Sequence, residues 1–282
     1  MKDSKFWQYI DGITLINLDH RTDRLKHSMR ELHEIAPVEK LVRVSGVDGR
    51  SLPGFGQKPW FNKRRNDLKW AGRAGCTLSH RKAMEAALAL KWETFLILED
   101  DFTCLSNEPA LWKSLEQTIF HANNEWDILY LGFTNPTGPT HHINNLAEGR
   151  TIYQIQGAKT THAYLIKSNF AEWVLKKLPE EGNIWSWCSR KRVIDRWYSR
   201  NLSLGGNVLC ISPSLFVQSD YSSDITSTSD QESNSGDFCW EVPFSIQHQS
   251  FYQVRKVYTM ISNKFHENIE TISGATKRFT GF

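Results

Sequence analysis

Phe95-Leu96-Ile97-Leu98-Glu99-Asp100-Asp101 is a short apolar run that stops on three consecutive acids. A run of that length, preceded by the alanine-rich residues 83–90, predicts a buried parallel strand entered from a helix. Open α/β sheets bind ligands at the carboxyl ends of their strands, so the acids arrive at the usual position of a site. Three adjacent carboxylates repel one another, and a cation or proton held nearby relieves that cost. A hard divalent ion carrying a substrate's phosphates accounts for them economically, because oxygen ligands suit Mg²⁺ and Mn²⁺. An acidic turn in water is the plain alternative.

Outward from this strand, helices and strands alternate. Gly12-Ile13-Thr14-Leu15-Ile16-Asn17-Leu18 reads as a strand. The helix after it is expected to be capped by Asp19 or Thr22, with Leu25, Met29, Leu32 and Ile35 on one stripe. Residues 41–44 read as a second strand that ends at the turn Gly46-Val47-Asp48-Gly49. Residues 51–75 are basic and aperiodic, and a loop that long in a compact domain is usually functional. A helix over 78–90, the acidic strand, an amphipathic helix near 111–122 and an apolar strand over 127–131 follow. Beyond a polar loop over 134–150, strands are expected at 151–156 and 162–166, then helices near 168–177 and 190–200. Residues 219–236 have the Ser/Asp/Thr-rich composition of a linker. There is no internal repeat, so the expectation is one α/β domain over residues 1–237 with a C-terminal extension over 238–282 packed on it.

Composition narrows the classes. A chain of 282 residues can bury one large α/β core. A net charge of +3 gives no general attraction for nucleic acid or an anionic membrane surface. Eleven tryptophans exceed ordinary core needs, so some are candidates to stack on a sugar or base, with core burial the default for each. Cys76, Cys104, Cys188, Cys210 and Cys239 form no short-spaced pair, which favours reduced thiols over a disulfide framework. Met1-Lys2-Asp3-Ser4-Lys5 leads into no secretory apolar region, and no apolar stretch reaches membrane-spanning length. A soluble, cytoplasmic protein is expected, with Lys63-Arg64-Arg65 as a candidate peripheral membrane contact.

Several of these pieces resemble glycosyltransferase family 25. The resemblance is carried by Ile16-Asn17-Leu18-Asp19 with Arg21 and Arg24, by Val47-Asp48-Gly49, by Gly75-Cys76-Thr77-Leu78-Ser79-His80 and by Leu96-Ile97-Leu98-Glu99-Asp100-Asp101. Ala163-Tyr164-Leu165-Ile166, Val193-Ile194-Asp195, and Gln218 with Ser223-Asp224-Ile225 continue it in the same order, so it runs over about residues 12–226. The family includes bacterial lipooligosaccharide galactosyltransferases, active in lipopolysaccharide biosynthesis, and collagen hydroxylysine galactosyltransferases. Members commonly carry Glu ahead of the Gly-Cys pair, where this chain has Arg73-Ala74. That departure removes an acid from position 73 and implies altered sugar or phosphate contacts.

The resemblance implies a GT-A-like, Rossmann-related mixed sheet flanked by helices, binding a UDP-sugar with Mn²⁺ or Mg²⁺. Asn17, Leu18 and Asp48 would lie beside the nucleotide. Arg21 and Arg24 would meet phosphate or pair with the acids, a solvated helix face being the alternative. Ser79 and His80, expected near a helix start, would face an anion, a satisfied core histidine being the alternative for His80. Asp101 is expected to touch the metal and Asp100 the donor sugar or ribose, with Glu99 orienting the site through water or Arg24. His162 is a further candidate ligand, again against a core role. The family's products imply inversion, with Asp195 as the base and Asp220 and Asp224 as rivals; Gln218 would bind sugar or acceptor. The alternative for Asp195 is an ion pair with Arg192 or Arg196 on its own helix. The acceptor would be a saccharide or a hydroxylated side chain. Two other classes fit less of the sequence. One is a catalytically silent sugar-nucleotide or glycan-binding module. The other is a metal-dependent phosphohydrolase, for which Glu99-Asp100-Asp101-Phe102-Thr103 would be a damaged Asp-x-Asp-x-Thr motif.

Overall fold

The computed structural model describes residues 4–61, 67–122, 125–191 and 193–219, with scattered helical positions between 257 and 272. Among the described residues there are ten strands: β1 Gly12–Asn17, β2 Leu41–Ser45, β3 Thr94–Glu99, β4 Phe102–Cys104, β5 Ile128–Thr137, β6 His141–Asn145, β7 Thr151–Ile155, β8 Gly157–Lys167, β9 Val208–Ser212 and β10 Phe216–Gln218. The main helices are α1 Thr22–Ile35, α2 Asp67–Ala89, α3 Pro109–Glu116, α4 Ser168–Leu175, α5 Ile184–Lys191 and α6 Ile194–Asn201.

Eight strands form one mixed sheet in the order β2-β1-β3-β8-β5-β9-β7-β6, and β4 pairs with β10 in a separate ribbon. This is the helix-flanked mixed sheet expected from the sequence. β2, β1 and β3 run parallel, so Asn17, Ser45 and Glu99 end at one edge. The direction reverses at β8, which is antiparallel to both β3 and β5. The acids stand at the carboxyl end of β3 beside that reversal, the position at which such sheets are expected to form a ligand crevice.

The two-residue period of the strands explains the two-sided core. Phe95 and Ile97 of β3 face one cluster, with Leu78 and Met84 of α2, Phe170 of α4 and Trp197 of α6. Leu96 and Leu98 face the other, with Leu32 and Ile35 of α1 and Leu111 and Trp112 of α3. All four β3 side chains are fully buried, which contributes about 1.5–3 kcal/mol of transfer free energy each. Trp7, Trp112, Trp126, Trp185, Trp187 and Trp197 are also buried, so these six serve the core.

Several elements differ from the sequence reading. α2 begins at Asp67, eleven residues ahead of the expected start at 78, because its first half lacks a clean apolar period. Gly72 and Gly75 hide that half of the helix, yet Gly75 is there for contact: a Cβ at 75 would strike the Val47 carbonyl oxygen. Arg21, not Asp19 or Thr22, is the N-cap of α1, and it makes no side-chain cap bond. Asp19 turns instead to Arg43 and Ser45 on β2. The expected polar loop contains β6, whose His-His-Ile-Asn-Asn sequence pairs with β7 without an apolar pattern. The helix placed at 190–200 is two helices, α5 and α6. β4, β9 and β10 were not expected.

The four described cysteines are free thiols. Among the described residues, no helix is long and apolar enough to cross a membrane. The extension expected to be irregular holds helical residues at 257–258, 261–262, 264–265, 268–269 and 272. The expected domain boundary at 237/238 and Lys63-Arg64-Arg65 lie outside the described residues, as do Arg192, Asp220, Ser223, Asp224, Ile225 and Cys239.

Candidate functional site

Glu99 is the last residue of β3, and Asp100 and Asp101 form the turn beyond it. Successive side chains in an extended chain alternate, and the three acids accordingly have different surroundings. Asp100 is buried and fully engaged. Asn17 Nδ2 donates to it at 2.7 Å, Arg24 Nη1 at 3.0 Å, and the Ser28 hydroxyl donates to its backbone carbonyl at 2.8 Å. Burial outweighs these bonds and holds the Asp100 carboxyl above its ordinary range. α1 supplies Arg24 and Ser28 from its buried face, so the Leu18–Asp19 corner and α1 exist locally to hold this turn.

Glu99 points the other way. His80 Nε2 lies 3.1 Å from its Oε1, and the Thr161 hydroxyl donates to the same oxygen at 2.7 Å. Burial acts to raise Glu99, but the hydrogen bond and charge of His80, helped by Thr161, pull it down to about 2. His80 Nδ1 meets the Tyr164 hydroxyl at 3.0 Å, and Tyr164 meets Tyr198 at 3.4 Å. The expected link between Glu99 and Arg24 is replaced by this network, while Arg24 serves Asp100 and approaches Asp101 at 3.5 Å.

Asp101 is the least satisfied acid. Its Oδ2 has only long contacts, to Arg24 and to Gln218 Nε2, each 3.5 Å. Its Oδ1 is buried with no hydrogen-bond partner among the described residues. Burial first, and the Glu99 charge second, push its carboxyl up to about 7. His162 is buried, its Nε2 on the Phe216 carbonyl at 3.2 Å and its Nδ1 without a partner. Burial lowers its pKa, leaving a neutral imidazole. A Cβ at Gly132 would overlap the His162 ring, so that glycine lets β5 approach it.

Asp195 sits in the first turn of α6 and is bonded to the backbone N–H groups of Arg196 and Thr160. Burial, with the Glu99 charge adding to it, raises its carboxyl. The Asp195 and Glu99 charges both act on the Cys76 thiol, which burial has already pushed far up. The structure therefore collects Glu99, Asp101, Asp195, His80 and Cys76 in one field, with Asn17, Arg24, Asp100 and Gln218 on its flank.

Other expected residues lie elsewhere in role. Ser79 and His80 are mid-helix, because α2 starts so early; no helix N-terminus faces an anion there. Ser79 accepts from the Val47 N–H at 2.8 Å and donates to the Gly75 carbonyl at 2.7 Å, tying the Val47–Gly49 turn to α2. Asp48 caps the following short turn and pairs with Arg50 at 2.8 Å. Arg21 pairs with Asp23 at 3.0 Å. Leu18 accepts from the Arg21 N–H at the corner between β1 and α1. Cys76, Thr161 and Tyr164 were missed as site residues. The Cys-x-x-x-His spacing of residues 76 and 80 would have paired them, given a helix through both.

A family model described as glycosyltransferase family 25 (LPS biosynthesis protein) matches residues 10–182. The chain belongs to glycosyltransferase family 25. Family 25 relatives include procollagen galactosyltransferase 1-B of Xenopus laevis, 28% identical over 60% of this chain and 28% of the relative. Procollagen galactosyltransferase 2 of Mus musculus is 26% identical over 52% of this chain and 25% of the relative. A human relative named inactive glycosyltransferase 25 family member 3 is 28% identical over 43% of this chain and 22% of its own. The chain spans about a quarter of the length of these curated relatives. Among solved structures, a glycosyltransferase involved in glycosylation of the PBCV-1 major capsid aligns with TM-score 0.39 and 13% identity, over 76% of this chain and 95% of that one.

Proposed function

We propose that the protein transfers a hexose, galactose first among the candidates, from a UDP-sugar to an acceptor hydroxyl with inversion. The observation that carries this reading is Asp101 Oδ1, a buried carboxylate oxygen at the carboxyl edge of the sheet with no hydrogen-bond partner among the described residues. Such an orphan is costly unless a ligand completes it, and its chemistry fits a hard divalent cation. Asp101 would hold Mn²⁺ or Mg²⁺, with Glu99 beside it and His162 Nδ1 as a further donor. Bound there, the ion supplies positive charge for the departing diphosphate.

The chain's own residues do the rest. Arg24 and Asn17 lock Asp100, which fixes the turn that presents Asp101 and lines the donor sugar or ribose side. Leu18, Arg21, Asp48, Ser79, His80 and Gln218 keep their proposed places around the nucleotide and sugar, Ser79 acting through the Val47–Gly49 turn. Asp195 takes the acceptor hydroxyl's proton, and burial prepares it by raising its basicity. Asp224 stays its rival in this proposal, as does a cytoplasmic location. Lipopolysaccharide-type saccharides and hydroxylated side chains are the two acceptor classes.

A thermal-shift screen of UDP-sugars with and without Mn²⁺ tests the reading. Stabilisation by UDP and UDP-galactose that grows with Mn²⁺ is expected, and no response to any uridine nucleotide would refute it. A silent binding module is the second reading, favoured by the relative named inactive. It predicts the same stabilisation without metal-dependent release of UDP. The phosphohydrolase reading would need Glu99 as nucleophile, and His80 and Thr161 both engage its Oε1.

A further inference from the structure

We propose that Cys76, His80 and Glu99 form a site for a borderline-soft divalent cation such as Zn²⁺, next to the oxygen-ligated position at Asp101 and sharing Glu99 with it. Their ligand atoms all lie within 4.8 Å of one another. Cys76 and His80 are four residues apart on α2 and so share one helix face, while Glu99 comes from the end of β3 opposite. Metal–ligand bonds of about 2.0–2.3 Å at tetrahedral angles put the ligand atoms about 3.3–3.8 Å apart. The His80 Nε2 to Glu99 Oε1 distance of 3.1 Å is already near that edge. Only the thiol has to close, by about 1 Å on this geometry.

The chemistry of the set selects the ion. Mg²⁺ and Mn²⁺ favour oxygen, whereas one thiolate, one imidazole and one carboxylate suit Zn²⁺. The supporting contacts are those of a built metal site. His80 Nδ1 lies 3.0 Å from the Tyr164 hydroxyl, so once Nε2 gives up its proton to ligate, Nδ1–H has an outer partner there. Thr161 donates to Glu99 at 2.7 Å and orients that carboxylate. The Asp101 and Asp195 charges act on the Cys76 sulfur as well, so the field there attracts a cation. Cys76 and Glu99 are each only part-buried, which leaves an entry path and a fourth position for water or a substrate oxygen. As the metal bonds form, the thiol proton and the proton that His80 Nε2 shares with Glu99 leave the ligand atoms, so binding releases protons to solvent.

Titration of the metal-free full chain with Co²⁺, without nucleotide, tests the site. Expected are saturable visible bands of tetrahedral cobalt and a thiolate-to-cobalt charge-transfer band in the near ultraviolet, both lost on adding Zn²⁺. Cys76→Ser removes the charge-transfer band. Tyr164→Phe keeps the band and weakens cobalt binding about 10–100-fold, the usual effect of losing an outer partner. A wild-type titration without a thiolate band, or a band unchanged in Cys76→Ser, overturns the assignment. Should Cys76→Ser not fold, X-ray absorption of the zinc-loaded wild type decides it: one sulfur at about 2.3 Å is expected, and a shell of oxygen and nitrogen alone overturns it. No nucleotide enters these measurements, so their failure is distinct from failure of the donor reading, which the uridine thermal shift scores.

Discussion

The three acids at the end of β3 share a sequence neighbourhood and almost nothing else, and their different partners give them different tests. Asp101→Ala is expected to abolish transfer while leaving the far-ultraviolet circular dichroism and the fold intact, since its carboxylate has only long contacts. Without metal, the pH dependence of stability has a definite sign. The folded Asp101 carboxyl titrates at about 7, above its ordinary 3.8, so its contribution is fully present below about pH 4 and is lost as pH rises through 7. Glu99 has the opposite sign: lowered to about 2 from 4.5, it contributes above pH 4.5 and is lost as pH falls toward 2. Melting curves of Asp101→Asn should therefore gain on wild type as pH rises from about 4 to about 7. A constant difference across that window would remove Asp101 as the titrating group. Asp195→Asn is expected to lower kcat about 10²–10⁴-fold, the usual worth of a general base, with KM for the donor little changed. Wild-type turnover in that variant would take Asp195 out of the reaction. The position of the acids was legible in the sequence because an apolar run has to stop somewhere. Their partners were not: His80 and Tyr164 are 84 residues apart and meet only through the fold.

At the scale of elements, α2 and the turn from Val47 to Gly49 form one unit. A Cβ at Gly49 would strike Ala71, and one at Gly75 would strike Val47, so the two segments approach through missing side chains on both sides. Gly75→Ala is expected to cost about 1–3 kcal/mol, read from chemical denaturation, because backbone must move to admit the methyl. The same variant should raise KM for the donor if the turn borders the nucleotide, and an unchanged KM would separate the turn from the site. The sequence showed β1 and β3 plainly, because strands covered on both faces are largely apolar, and it showed β2, an edge strand carrying Arg43, through its flanking apolar residues. It hid the first half of α2, where glycine and alanine serve contact at the expense of period. It also hid β6, since an edge strand of His and Asn pairs through its backbone and buries none of its side chains fully.

For the whole molecule, the proposed ligand position beside the strand reversal at β3 makes a prediction about stability. A donor and metal that bind only the folded crevice should stabilise the chain by about 2.7 kcal/mol at a hundred times Kd. In a chain of this size that appears as a melting shift of several degrees. Asp101→Ala should lose the metal-dependent part of the shift without any fall in its own melting temperature. Leu96→Ala, remote from the crevice and fully buried in the second core layer, should do the reverse. It is expected to cost about 2–5 kcal/mol and leave the ligand-induced shift in place. Equal loss of the shift in both variants would mean that the crevice does not act independently of the core.

The clamp on Asp100 has a thermodynamic consequence. Asn17, Arg24 and the Ser28 hydroxyl hold the acidic turn from β1 and α1 before any substrate arrives. The ordering entropy of that turn is therefore settled during folding and does not recur in each catalytic cycle. Removing the clamp with Ser28→Ala and Asn17→Ala should leave the same contacts available to the donor but make its association enthalpically richer and entropically poorer. Such a protein would show in calorimetry what rigidity had been supplying all along.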